Sequence, residues 1–225
     1  MSAGARLPLA VLISGRGSNM VAIAQACAAG RIDAAVNHVI CDQPDAAGVA
    51  RARTLGLATS VIARASSEDS GAFEDALTGA LDAHAYELVV LAGFMRILSP
   101  RFVARYVGRM LNIHPSLLPQ YPGLNTHRRV LAAKDTHHGA SVHFVTAELD
   151  AGPVVLQSRI PVLQGDTEET LAARVHTAEH IIYPKVIGWI AQHRLVYREG
   201  RVWFDGEPLD APMVEDSRSA VGADG

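Results

Sequence analysis

The chain has little cysteine, no long run of one charge sign, and no apolar stretch long enough to span a bilayer. Its two cysteines, Cys27 and Cys41, form no CxxC pair. Cys27 falls in a helix-like segment and Cys41 at a strand end, a placement that suits buried free thiols rather than a disulfide framework. Lys and Arg number 20 against 23 Asp and Glu, for a formal net charge of -3. Without a basic excess, nucleic acid binding through bulk electrostatics is not expected. The apolar run Leu7 to Ile13 is far shorter than the ~20 residues of a spanning helix, and no small-residue cleavage site follows it. It reads as a first strand, and the protein as cytoplasmic, with small molecules rather than a membrane for partners. No internal repeat and no domain-separating linker is visible. Residues 7–210 are expected to form one domain and 211–225 a disordered tail.

What is present is a globular composition, 49% apolar and 19% charged. Strand-like Pro8–Ile13 and helix-like Met20–Ala29 open an alternation that continues with a strand at Ala35–Ile40 and a helix at Gly48–Leu55. A short strand at Thr59–Ile62, a helix at Gly71–Ala85 and the wholly apolar strand Leu88–Leu91 follow. The fold class this predicts is α/β, a single domain built on a parallel, doubly wound sheet. Later, Thr126 is expected to cap a helix reaching Ala133, and His143 lies inside a strand. Thr167 caps a long C-terminal helix containing Pro184, and a β-hairpin turns at Gly200.

Four stretches hold candidate chemistry. In Met110–His114, Asn112 and His114 interrupt an apolar strand two residues apart, so both face one side, and Pro115 ends the ladder. That places an amide and an imidazole at the carboxyl end of a strand, where open α/β sheets bind ligands. The alternative is a strand end whose polar groups only satisfy the turn. Ser14-Gly15-Arg16-Gly17-Ser18-Asn19, between the first strand and first helix, is a ready anion site suited to a single phosphate. Its glycines do not complete G-x-G-x-x-G, since Met20 holds the last position. In Ala92–Pro100, Met95, Ile97 and Leu98 either line a flat apolar slot beside a lone Arg96 or simply pack the loop. Asp150 precedes a Gly152-Pro153 turn. His176 and His180 share a helix face, but His-Thr-Ala-Glu-His is not a zinc motif and no third ligand is spaced to join them, so no metal is expected.

With Asn112-Ile113-His114-Pro115-Ser116, the first loop, Phe94–Pro100, His138–Phe144 and Leu149–Pro153, nearly the whole chain resembles the phosphoribosylglycinamide formyltransferase family of folate-dependent enzymes. The resemblance implies a twisted, mostly parallel doubly wound sheet with a Rossmann-like N-terminal half and a folate-binding C-terminal half, 10-formyltetrahydrofolate as co-substrate, and formyl transfer to N1-(5-phospho-D-ribosyl)glycinamide in purine synthesis. It implies that Gly17, Ser18 and Asn19 hold the acceptor's phosphate and that Glu179 meets the ribose hydroxyls; His176 is a departure, standing where relatives usually have another polar or basic residue facing the phosphate, and a histidine can serve as donor there. The resemblance further implies that Met95, Arg96, Ile97 and Leu98 take the pterin, that Ala147 and Glu148 lie in the neighbouring loop, and that Asn112, His114 and Asp150 are the catalytic group. Asn112 would donate to the developing oxyanion, His114 would donate as imidazolium, and Asp150 would orient it. Another departure concerns the folate's glutamate tail: where many relatives carry an arginine before the third helix, this chain reads Ser70-Gly71-Ala72. Oligomeric state, monomer or homodimer, is left open. The rival readings are a formyltetrahydrofolate hydrolase, a methionyl-tRNA formyltransferase, which would need a basic C-terminal domain, and a dinucleotide-binding protein without catalysis.

Overall fold

The computed structural model describes residues 6–63 and 70–217, with the side chain of residue 70 left aside. In chain order the elements of the first half are β1 (Leu7–Ile13), α1 (Ser18–Ala28), β2 (Ala34–Cys41), α2 (Ala47–Thr54), β3 (Thr59–Val61), α3 (Ser70–Asp82) and β4 (Leu88–Leu91). The site-bearing elements follow: α4 (Pro100–Arg105), β5 (Met110–His114), α5 (Thr126–Ala133), β6 (His137–Phe144), β7 (Val154–Pro161) and α6 (Glu168–Ala191). β8 (Leu195–Arg198), β9 (Arg201–Phe204), β10 (Glu207–Pro208) and β11 (Met213–Asp216) complete the described chain.

An eight-stranded sheet runs β11-β7-β6-β5-β4-β1-β2-β3, and β10-β9-β8 form a small antiparallel sheet. Within the large sheet β6 alone runs against its two neighbours, β5 and β7, while the other pairings are parallel. The expected mostly parallel, doubly wound sheet and the C-terminal hairpin are both there. From β1 the chain winds outward through β2 and β3, then returns to place β4 on the other side of β1. Strand order thus reverses between β1 and β4, where open α/β sheets form a ligand crevice at the carboxyl ends of their strands.

Alternation along β1 builds the core on both faces. Leu9, Val11 and Ile13 join one apolar cluster with Met20 and Ile23 of α1, Val49 of α2 and Leu171 to Ile187 of α6. Ala10 and Leu12 point the other way, onto Phe73 and Leu77 of α3 and Phe102 of α4. A strand buried on both faces loses the polar positions of a half-exposed one, which is why β1 and β4 read as continuous apolar runs. Cys27 and Cys41 are both buried and free. Thr167 caps α6 as expected, in a capping box closed by Thr170.

Two expectations are corrected here. Thr126 does not cap α5: the cap position is Asn125, in the left-handed region at φ 57, and Thr126 is buried as the first helical residue. An asparagine tolerates that conformation better than a β-branched threonine. Nor is the chain unstructured from residue 211, because β11 pairs with β7 from Met213 to Asp216. Arg159 anchors it with a two-bond fork to Asp216, and Lys185 pairs with Glu215. Residues 218–225 of the expected tail lie outside the described residues.

Candidate active site

β5 delivers Asn112 and His114 to the same side at its end, and β6 lies antiparallel beside it with His143 opposite Asn112. The Asn112 Nδ2 lies 3.1 Å from His143 Nε2, while His143 Nδ1 lies 3.0 Å from the Phe144 carbonyl. A carbonyl only accepts, so His143 carries its hydrogen on Nδ1 and receives the Asn112 amide on Nε2. Burial holds the His143 imidazole below its ordinary value, so it is neutral, as this arrangement requires. The amide of Asn112 is thereby oriented, with one hydrogen spent on His143 and one left for a ligand.

His114 is buried, and its Nε2 donates to the Tyr121 carbonyl at 2.9 Å. Its Nδ1 faces Asp150 Oδ2 at 3.4 Å. Both ring nitrogens thus face oxygens, a carbonyl on one side and a carboxylate on the other. Asp150 sits at φ 53 in the turn after β6 and accepts the Gly123 N–H at 2.8 Å, so the same carboxylate ties two loops together. The loop that leads from His114 to Tyr121 is held at its start by buried side chains of β6 and β7. Ser141 donates to the Ser116 carbonyl at 2.6 Å and accepts from Leu118 N–H, and Gln157 donates to the Leu118 carbonyl at 2.8 Å. All three groups are buried away from water, where unmade hydrogen bonds cost most.

Asn112, His114, His143 and Asp150 stand at the wall of a cavity of about 500 Å³. Met95, Arg96, Ile97, Leu98, Ala147, Glu148, Asn112, His114 and Asp150 all line it, so one cavity gathers the expected folate and catalytic residues. Met95, Ile97, Leu124 and Leu149 stand more than half exposed at its edge, an apolar rim waiting for a flat partner. Arg96 is not the lone charge expected: its Nε donates to Asp42 Oδ2 at 2.5 Å, and its guanidinium lies 4.5 Å from the Phe73 ring centre. The Asp42 side chain is 2% exposed, so the pair pins the cavity wall to the end of β2. Ser70-Gly71-Ala72, expected just before the third helix, form the first turn of α3 itself.

The phosphate-site candidates gather separately, at the start of α1. Gly17 is the cap residue at φ 69, and no side chain caps the helix, which leaves its first N–H groups open to an anion. A Cβ at Gly17 would meet the Gly48 Cα at 3.1 Å, and one at Gly48 would meet the Gly15 carbonyl at 2.7 Å, so both positions need glycine. Ser18 is half-buried beside them. Asn19 differs from expectation, since its side-chain amide donates to Glu179 Oε2 at 2.8 Å. One hydrogen of that amide is thus spent on Glu179, and its Oδ1 is buried without a partner among the described residues. Burial raises the Glu179 carboxyl to about 7, against a smaller lowering by Asn19. His176 is held below its ordinary value by burial and then by Arg16, which brings that arginine to the same place.

Sequence reasoning singled out neither His143 nor Asp42 for a role. His143 lies within a buried strand and Asp42 just past one, a signal that marks them as partnered without naming the partner.

An amide, an imidazole and a carboxylate meet at the wall of an apolar cavity, apart from an uncapped helix start at another strand end, and place the chain in the class of α/β proteins that bind small molecules at their strand ends. Comparison with known proteins gives this class its family. The formyl transferase family model matches residues 7–187. The phosphoribosylglycinamide formyltransferase of Escherichia coli is 52% identical over 201 residues, 89% of this chain and 95% of that protein. A solved phosphoribosylglycinamide formyltransferase from Coxiella burnetii, at 47% identity, superposes with a TM-score of 0.88 over 92% of this chain and 99% of that one. A formyltetrahydrofolate deformylase from Pseudomonas syringae, at 19% identity and a TM-score of 0.83 over 89% of this chain and 66% of that one, shares the fold alone. The chain belongs to the formyl transferase family.

Proposed function

We propose that this protein transfers the formyl group of 10-formyltetrahydrofolate to the amine of N1-(5-phospho-D-ribosyl)glycinamide, as a cytoplasmic enzyme of purine synthesis. The observation that carries the reading is the Asn112–His114–Asp150 group facing a cavity with an apolar rim, with an anion loop at a neighbouring strand end. The pterin enters between the Met95–Leu98 wall and the Ala147–Glu148 loop, and the acceptor's phosphate takes the α1 N–H groups beside Ser18 and His176. Glu179 receives the ribose hydroxyls from behind Asn19.

The acceptor's amine attacks the formyl carbon, a carbon–nitrogen bond forms, and the carbonyl electron pair moves onto oxygen. The free hydrogen of the Asn112 amide meets that oxygen, an interaction of roughly 2.7–4 kcal/mol in a dry, preorganised site. The His114 imidazolium, held by the Tyr121 carbonyl and Asp150, adds positive charge beside the oxyanion. Water carries the amine proton to the leaving folate nitrogen, and collapse returns the electron pair and frees tetrahydrofolate. No covalent enzyme intermediate is required.

The test is purified protein with both substrates, followed by folate absorbance. Release of tetrahydrofolate that depends on the acceptor and is matched by formylated acceptor supports transfer. Acceptor-independent formate release at the same rate establishes the hydrolase instead.

A further inference from the structure

The aim of Asn112 depends on its backbone as well as on His143, and that backbone is held from an unexpected direction. Tyr183, on α6, has no exposed surface and is the largest fully buried side chain in the described structure. Its hydroxyl has one hydrogen to give, shared between the Leu91 carbonyl at 3.0 Å and the Leu111 carbonyl at 3.1 Å. The Leu111 carbonyl belongs to the same rigid peptide as the Asn112 nitrogen, so fixing one fixes the other. Leu91 lies opposite Asn112 in the parallel register of β4 and β5. We propose that Tyr183 is a positioning residue for formyl transfer, acting through the Leu111–Asn112 peptide to hold the catalytic amide in place.

Packing alone does not call for this hydroxyl. A phenylalanine would fill the same space without bringing a polar group into the interior, where it must find a partner. Burial keeps the phenol protonated far above its ordinary range, so it remains a donor at any working pH. The second carbonyl matters as well, because the chain leaves Leu91 directly into the cavity wall. That wall is tied back to β1, where Ser14 N–H donates to the Gly93 carbonyl and Met95 N–H donates to Ser14 Oγ. One hydroxyl therefore sets the spacing between the strand end that bears the wall and the strand that bears Asn112. One helical turn earlier on α6, Glu179 holds Asn19 at the acceptor loop. The same helix thus braces both sides of the reaction centre.

The inference rests on the reading of Asn112 as oxyanion donor, and a double-mutant cycle separates the two. Displacements of about 1 Å at a reacting group cost up to 10²-fold, so loss of one restraint among several is expected to lower kcat about tenfold. Tyr183→Phe should do so with both KM values unchanged, well below its melting temperature. In an Asn112→Ala background, measured by single turnover at high enzyme concentration, the same change should have no further effect. Tyr106→Phe serves as control, since it removes another buried hydroxyl, one that reaches Asp82 away from the site. Equal fold-losses from Tyr183→Phe in both backgrounds, a loss matched by Tyr106→Phe, or a variant that fails to fold at assay temperature would overturn the proposal. If Asn112→Ala alone keeps full kcat, it is the role of Asn112 that fails, whatever Tyr183 does.

Discussion

Glu179 should make the stability of this protein fall as pH rises through neutrality, contrary to the usual behaviour of a carboxylate. The residue is 4% exposed, its side chain accepts from Asn19 and pairs with no cation among the described residues, and burial raises its carboxyl to about 7. In the unfolded chain the group returns to its ordinary 4.5. Because the folded value is the higher one, the folded state binds the proton more tightly. The resulting stabilisation is complete below pH 4.5 and is lost as pH climbs through about 7. The difference of about 2.5 pH units, at 1.36 kcal/mol each, is about 3 kcal/mol. Glu179→Gln keeps the shape, retains an oxygen for the Asn19 amide and offers an N–H to the orphaned Asn19 Oδ1. Urea denaturation of both proteins from pH 5 to 8.5 gives the difference in unfolding free energy, in which the titrating histidines common to both cancel. The variant should gain on the wild type by about 1.36 kcal/mol per pH unit from pH 5 toward 7, and the difference should level off above about 7. A difference that stays flat across the range, or changes in the opposite sense, would refute the buried neutral carboxyl.

Asn112→Ala is expected to lower kcat by 10²–10³ with little change in either KM, since its free hydrogen matters once charge builds on oxygen; steady-state kinetics decide, and a loss confined to KM assigns it to ground-state binding. His143→Phe should reproduce part of that loss by freeing the Asn112 amide to turn, visible in the same kinetics. Gly17→Ala forces a Cβ to within 3.1 Å of Gly48 at a left-handed φ, so acceptor KM should rise at least tenfold, by an order-of-magnitude estimate, while folate KM holds. Asp42→Asn weakens the clasp on Arg96 and should raise folate KM without altering kcat, because the clasp shapes the wall and touches no reacting atom.

How much of this was legible beforehand depended on how far in sequence the decisive partner lay. The strands β1, β4 and β5 were readable because burial on both faces and a two-residue period leave their mark within a few positions. The pairing of Asn112 with His114 on one side of a strand end was likewise a local fact, and so was the open helix start after Gly17. From residues alone, though, Met95, Ile97 and Leu98 fitted a packed loop as well as a cavity wall. Resemblance to a family chose between the two readings, and the cavity agrees with that choice. Tertiary structure decided the rest. Arg96 finds Asp42 across 54 residues, Asn19 finds Glu179 across 160, and Tyr183 reaches Leu111 across 72. No periodicity reports such meetings, because they are set by strand order and by which helix covers which face. Backbone hydrogen bonding and apolar alternation act over a few residues and are written along the chain. The partner of a buried polar group is chosen by whatever distant segment the closed sheet brings within 3 Å or so of it, and that is known only once the sheet has formed.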